Sequence, residues 1–226
     1  MYKQEEAFKL AMESQFVKPI SLGPWTTYSL LNDPKHMCFV LSRYKFCSKI
    51  LDGKKNILEI GCGDGFGVPI IAANSDYVLA LDSNEPIIES NKERLSQVKN
   101  IEFITHNICV SSIKSDIFFG GAFSIDVIEH LDPELEHSFM SNTCASLDTN
   151  GICIVGTPNI AASEHAIYRS EVQHINLKSH DSLRELMGQY FNNVLMFSMN
   201  DEVVHTGFGP MAHYLFSVGV GVKCKV

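Results

Sequence analysis

The chain has 226 residues, 45% hydrophobic and 19% charged, enough for one large domain or one domain with an appendage around a real core. Its formal net charge of −8 excludes a bulk basic footprint for nucleic acid. No apolar run approaches the roughly 18 residues of a membrane span. The first residues, "MYKQEEAFKLAMESQF", carry Glu5, Glu6 and Glu13 and lack the apolar heart of a signal peptide, so the expectation is a cytoplasmic protein. Seven cysteines, an odd number with no CxxC pair, argue against a disulfide framework or a zinc knuckle.

Residues 1–52 read as a helical extension, with Phe8, Met12 and Phe16 recurring every four residues. "VKPISLGPWTTYSLLNDP" reads as a loop with three prolines and the one tryptophan, Trp25. Asp33-Pro34 then opens a helix whose stripe is Met37, Val40, Leu41, Tyr44, Cys47 and Leu51. From residue 53 to 226 the pattern is strand–helix alternation. "NILEI", "YVLALD", "IEFITHNI", "GAFSIDVI" and "ICIVGTP" are short apolar strands. "FGVPIIAAN", "EPIIESNKERLSQV" and "DPELEHSFMSNTCASL" are the helices between them, the last stopped by Asn150-Gly151. The alternation predicts an α/β fold, a doubly wound and mostly parallel sheet of seven strands covered on both faces. After a polar, histidine-bearing stretch and a helix near Leu183–Tyr190, "NVLMFSMN" and "HYLFSVGVGV" predict an antiparallel hairpin at the sheet edge.

The first strand runs into "GCGDGFG". Ligands of open α/β sheets bind at the carboxyl ends of the strands, and glycines there let backbone amides approach without a Cβ in the way. The dinucleotide pattern G-x-G-x-x-G fails, because position 66 is Phe, and the phosphate-loop ending Gly-Lys-Ser/Thr is missing. What fits is Glu59, then glycine at every second position: Gly61, Gly63 and Gly65. With Asp82 ending the second strand and "DVIEHL" ending the fourth, in register, this resembles the class I S-adenosylmethionine-dependent methyltransferases over about residues 56–160. Small-molecule enzymes of surface-polysaccharide and natural-product clusters look most similar.

The resemblance implies a Rossmann-like methyltransferase fold and S-adenosyl-L-methionine as cofactor. By position it implies that Asp82 accepts both ribose hydroxyls and that Asn107, where Asp is more usual, reads the adenine amino group. Glu59, Gly61, Cys62, Gly63, Gly65, Ser83, Ile108 and Ser124 would complete the cofactor site. An N-terminal segment commonly folds over the cofactor in such enzymes, so Trp25 and Tyr28 would cover the pocket and Arg43 would pair with the cofactor carboxylate.

Methyl transfer needs alignment and a base for the attacking group. The catalytic candidates are His174, His130 and Asp126. Asp126, Glu129 and His130 share one face if a helical turn follows the fourth strand. They resemble the E-x-x-E-H metal cluster of ubiquinone-pathway and small-RNA 2′-O-methyltransferases, with Asp in the first place. A divalent metal on Asp126, Glu129, His130 and His174 is carried as the less favoured arrangement, behind a metal-free site with His174 as base. Tyr168, Arg169 and His205 are the candidate substrate contacts, Arg169 for an anionic group. Neither an N-P-P-Y motif nor a placed Pro-Cys is present, against methylation of DNA bases. The reading is methyl transfer to a hydroxyl of a small polar molecule, such as a sugar or nucleotide-linked intermediate, with no nucleic acid, no membrane and a homodimer as candidate assembly. Its rivals are an RNA 2′-O-methyltransferase and a catalytically idle cofactor-binding partner subunit.

Overall fold

The computed structural model describes residues 2–13, 19–115, 117–165 and 172–223. Three helices lead: α1 (Tyr2–Glu13), α2 (Pro24–Asn32) and α3 (Pro34–Ile50). Helix α2 falls where a loop was expected. Pro24 at its first position, with Gly23 extended before it, starts the helix as well as any polar cap would. Helix α3 carries the expected stripe and buries Tyr44 and Cys47, with Leu51 just beyond its end. Phe16 lies outside the described residues.

The alternating part follows as β1 (Asn56–Ile60), α4 (Val68–Ala72), β2 (Tyr77–Asp82), α5 (Glu85–Arg94), β3 (Ile101–Thr105), β4 (Phe119–Ile125), α6 (Glu136–Ser146), β5 (Leu147–Pro158), α7 (His180–Tyr190), β6 (Phe191–Asn200), β7 (Val203–His205) and β8 (Tyr214–Val222). Strands β1 and β2 are apolar and buried on both faces, as a covered parallel sheet requires. Leu147 begins β5, so the stop expected at Asn150-Gly151 lies inside a strand. The shift of β4–β5 pairing between Phe119 and Gly121 absorbs those extra residues. Ser179 caps α7 through a reciprocal box with Ser182.

One sheet holds all eight strands in the order β3-β2-β1-β4-β5-β8-β6-β7. Strands β1 to β5 run parallel, as expected. The antiparallel C-terminal strands lie at the sheet edge as expected, with β6 and β8 paired antiparallel. Strand β8 lies between β5 and β6 and runs antiparallel to both, and three-residue β7 closes the edge. Helices α3, α4 and α5 cover one face, with Leu51, Ile71 and Ile88 against Phe123 and Phe216. Helices α6 and α7 cover the other, with Phe139, Met140, Leu183 and Met187 around Leu58 and Phe119. No helix among the described residues is long and apolar enough to cross a membrane.

Candidate active site

Two chambers open at the carboxyl ends of the parallel strands. The larger, about 1100 Å³, runs from the glycine turn after β1 past the ends of β2 and β3 to the end of β4. The smaller, about 500 Å³, continues beyond β4 over the end of β5. His36, Asp126 and His130 line both.

The glycine turn explains its own sequence. Gly61, Gly63 and Gly65 take φ of +74°, +53° and +70°, left-handed backbone that side-chain-bearing residues avoid. A Cβ on Gly63 would sit 2.8 Å from the ring of Trp25, which packs over the turn. The Gly63 amide donates to Asp82 at 3.0 Å, and the other Asp82 oxygen accepts from the Asn84 amide at 2.9 Å. The turn is held from below by Asn91, fully buried on α5, which donates to the Gly63 carbonyl at 2.7 Å. Arg94 donates to Asn91 and, at 2.6 Å, to the Asp64 carbonyl.

Most of the expected cofactor positions face the larger chamber: Gly61, Gly63, Asp82, Ser83, Asn107 and Ile108, with Trp25 and Tyr28 from α2 on the opposite wall. The Asn107 carboxamide oxygen accepts from the Cys109 amide at 2.9 Å, which fixes its turn. Cys62 and Ser124 are buried beneath the cleft rather than on its wall. Glu59 is also buried. It accepts from the Tyr44 hydroxyl at 2.6 Å, and burial pushes its carboxyl up to about 8, with Tyr44 pulling the other way and Asp82 adding to the rise. Through that bond Glu59 pins α3 to the end of β1.

Sequence reading missed the fastening of α2. Asp64 accepts from the Thr26 amide at 2.7 Å and from the Thr26 hydroxyl at 2.9 Å, a capping arrangement across 38 residues that no local pattern announces. Thr26→Val removes one of these two bonds and keeps the shape. Because the bond is made without cofactor, the substitution is expected to lower the Tm of the cofactor-free protein, one hydrogen bond to a charged group being worth roughly 1.5–3 kcal/mol, and to weaken S-adenosylhomocysteine binding as α2 loosens. Calorimetry and a melting curve check both parts.

Arg43 stands apart from the larger chamber. Its guanidinium donates to Asp126 at 2.6 Å and stacks 3.9 Å above the Tyr214 ring. Burial works against its charge, but Asp126 and Tyr214 more than compensate and raise its pKa. Asp126 itself has φ of +57°, rare for a residue with a side chain, at the point where β4 leaves the sheet. A single 3-10 turn then carries Ile128–His130. Glu129 points inward and is fully buried. One oxygen accepts from the Thr157 hydroxyl at 3.1 Å, and Oε1 has no hydrogen-bond partner among the described residues. Burial, then Asp126, push its carboxyl up to about 8.

His174 arrives from the stretch after β5. Its ring meets that of His130 edge to face at 5.0 Å. The ligating atoms of Glu129, His130 and His174 all lie within 4.8 Å of one another. Burial, then His130, push the His174 pKa down, so its imidazole is neutral near pH 7. His130 holds the Gln173 carbonyl through Nδ1 at 3.0 Å, leaving Nε2 for a ligand. Asp126, engaged by Arg43, is not part of this trio. His205 does not reach either chamber: its ring is taken by Asn200 and by the Gly207 amide within the hairpin loop. Tyr168 and Arg169 lie outside the described residues.

An alternating-glycine turn after β1, an acid closing β2 and a sheet with one antiparallel strand set between its last parallel neighbours agree with the resemblance to the class I S-adenosylmethionine-dependent methyltransferases. Residues 57–151 match the family described as a methyltransferase domain. A probable S-adenosylmethionine-dependent methyltransferase of Mycobacterium tuberculosis is 27% identical over 105 residues, 46% of this chain and 36% of that protein. A ubiquinone biosynthesis O-methyltransferase of Rickettsia felis is 29% identical over 123 residues, 53% of this chain and 46% of that one. The chain thus spans less than half the length of these curated relatives. Among solved structures, the methyltransferase domain of bacterial CtHen1-C superposes with a TM-score of 0.67 at 20% identity, covering 81% of this chain and 99% of that one. The N-methyltransferase NodS of Bradyrhizobium japonicum WM9, solved with S-adenosylhomocysteine, reaches 0.62 at 15%, covering 87% and 92%. At these identities the likeness is one of fold.

Proposed function

We propose that the chain transfers the methyl group of S-adenosylmethionine to a hydroxyl of a small polar acceptor seated in the smaller chamber. The carrying observation is that chamber itself, walled by imidazoles and a buried carboxyl and joined to the cofactor cleft at the end of β4. The larger chamber takes the cofactor, with Asp82 facing the ribose, Asn107 and Ile108 the adenine, and Gly61 and Gly63 the methionine portion. A sugar or a nucleotide-linked intermediate suits a chamber of this polarity. The names of the ubiquinone-pathway relatives support oxygen as the methylated atom.

The trio serves the acceptor hydroxyl in one of two ways. His174 takes its proton directly, or Glu129, His130 and His174 hold a divalent cation. The unpartnered, buried Glu129 oxygen beside two imidazoles favours the cation, since one carboxylate and two imidazoles are a donor set for a divalent transition metal or magnesium. Such a cation would polarise the acceptor oxygen and lower the pKa of its hydroxyl. The protein's part is to place that oxygen against the methyl group, alignment being worth about 7–11 kcal/mol in favourable cases.

Labelled S-adenosylmethionine incubated with the protein and a metabolite extract tests the transfer, read as a labelled product by mass spectrometry. His130→Ala and His174→Ala are each expected to lower that rate by roughly 10²-fold or more, with cofactor affinity nearly unchanged. In the cation version EDTA abolishes the rate, a divalent ion restores it, and Glu129→Ala behaves like the histidine variants. Indifference to EDTA leaves His174 as base. Wild-type rates in both alanine variants would remove the trio from the reaction.

A further inference from the structure

A methyl group leaving the cofactor cleft for the acceptor chamber must pass the three residues common to both, His36, Asp126 and His130. Two of these are engaged. Asp126 accepts from Arg43, and His130 holds the Gln173 carbonyl and stands with Glu129 and His174. His36 is not. It sits in the first turn of α3, edge-on to Phe39 at 6.4 Å, and neither ring nitrogen hydrogen-bonds to another described residue. The helix that carries it is fastened further along, by Arg43 to Asp126 at the end of β4 and by Tyr44 to Glu59 at the end of β1. An imidazole on a pinned helix, facing both chambers with its nitrogens uncommitted, is positioned for chemistry rather than packing.

We propose that His36, rather than His174, is the catalytic residue that takes the proton from the acceptor hydroxyl, with the trio left to hold the cation; this rests on the methyl-transfer reading above. A lone pair of the acceptor oxygen forms the new O–C bond as the C–S bond breaks. The C–S electron pair stays on sulfur, which passes from sulfonium to neutral thioether. The hydroxyl proton goes to a ring nitrogen of His36, so the single positive charge moves from sulfur to imidazolium, and solvent later takes the proton. The surroundings suit both halves of that role. Burial and Arg43 push the His36 pKa down, keeping the imidazole neutral near pH 7, while Asp126 and Asp33 favour the imidazolium once it forms. Glu129, His130, His174 and His213 are the other titratable groups lining the acceptor chamber that His36 faces.

The test uses the full chain, methyl-labelled S-adenosylmethionine and a metabolite extract, with S-adenosylhomocysteine affinity measured separately by calorimetry. His36→Ala is expected to lower the rate of labelled product by about 10²-fold or more while affinity stays within about threefold. Free imidazole in the buffer restores a large part of the alanine variant's rate. His36→Gln, which fills the space without a base, loses as much and is not restored. The wild-type rate falls as pH drops through the His36 pKa, and that limb is missing in the variants. A wild-type rate in His36→Ala, or a loss that imidazole leaves untouched with the acid limb intact, overturns the assignment. If the wild-type chain labels nothing while still binding S-adenosylhomocysteine, the methyl-transfer reading itself fails, and this assignment with it.

Discussion

Gly63→Val is expected to weaken binding of S-adenosylmethionine and S-adenosylhomocysteine by about 100-fold, with the sheet still folded. The φ of +53° costs a residue with a Cβ roughly 1–2 kcal/mol, and a β-branched one more. The new Cβ would also lie 2.8 Å from the Trp25 ring, so either α2 lifts or the turn shifts. Either movement pulls the Gly63 amide from Asp82 and displaces the two walls of the cofactor cleft together. Together these effects reach about 3 kcal/mol, and each 1.4 kcal/mol is tenfold in affinity. Asp82→Ala is expected to do less, about tenfold, because it removes an acceptor without closing space. Calorimetry on the three proteins ranks them, and unaltered affinity in both variants would remove the turn from the cofactor site.

Arg43→Ala is expected to cost about 3 kcal/mol of stability and most of the turnover. Truncating one partner of a buried ion pair leaves the other charge without compensation, typically at about 3–5 kcal/mol. Asp126 is 33% exposed on its side chain against 11% for Arg43, so water reaches the orphaned carboxylate and the lower end applies. The loss also frees Asp126 from the strained backbone position that aims it into both chambers, and removes the stack on Tyr214. Urea unfolding of Arg43→Ala, Asp126→Ala and the double variant measures the coupling directly. The double variant is expected to be more stable than the sum of the single losses allows; strict additivity would show that the pair does not act as a unit.

How much of this was legible in the sequence follows from the range over which each feature is determined. Alternating glycines need left-handed backbone, and that need is written locally, so Gly61, Gly63 and Gly65 were readable one residue at a time. Asp82 was readable because the end of an apolar run marks the end of its strand. Strands β1 and β2 were legible from apolar runs bounded by turn residues, since both faces of each are covered. Other features are settled between distant segments and carry no local signature. Thr26 with Asp64, Arg43 with Asp126, and Asn91 under the Gly63 carbonyl are of this kind. His36 carried no signal of its own in the sequence, because its place over the junction is set only by the packing of α3. Arg43 was expected at the cofactor carboxylate by resemblance to the family; the nearest anion that the packed chain offers it is Asp126. The antiparallel pairing of β6 with β8 was legible from the two apolar runs without a helix between them, but the order was not: only pairing with β5 reveals that β8 is the inserted strand.

That insertion has a consequence for synthesis. Strand β8 is made after β6 and β7, yet it is the seam through which they join the sheet, with Ile152 of β5 opposite Val220 and Asn193 of β6 opposite the same residue. As the chain leaves the ribosome, β1 to β5 and their helices can close among themselves, and with them the glycine turn and Asp82. Strand β6, already emerged, can pair with β7 but cannot join the sheet until β8 follows. The nascent chain therefore acquires its grip on the cofactor before it acquires the far wall of the acceptor chamber, including His213 and the ring beneath Arg43. The acceptor chamber waits for β8, and a ribosome stalled before it displays the glycine turn and Asp82 without that far wall.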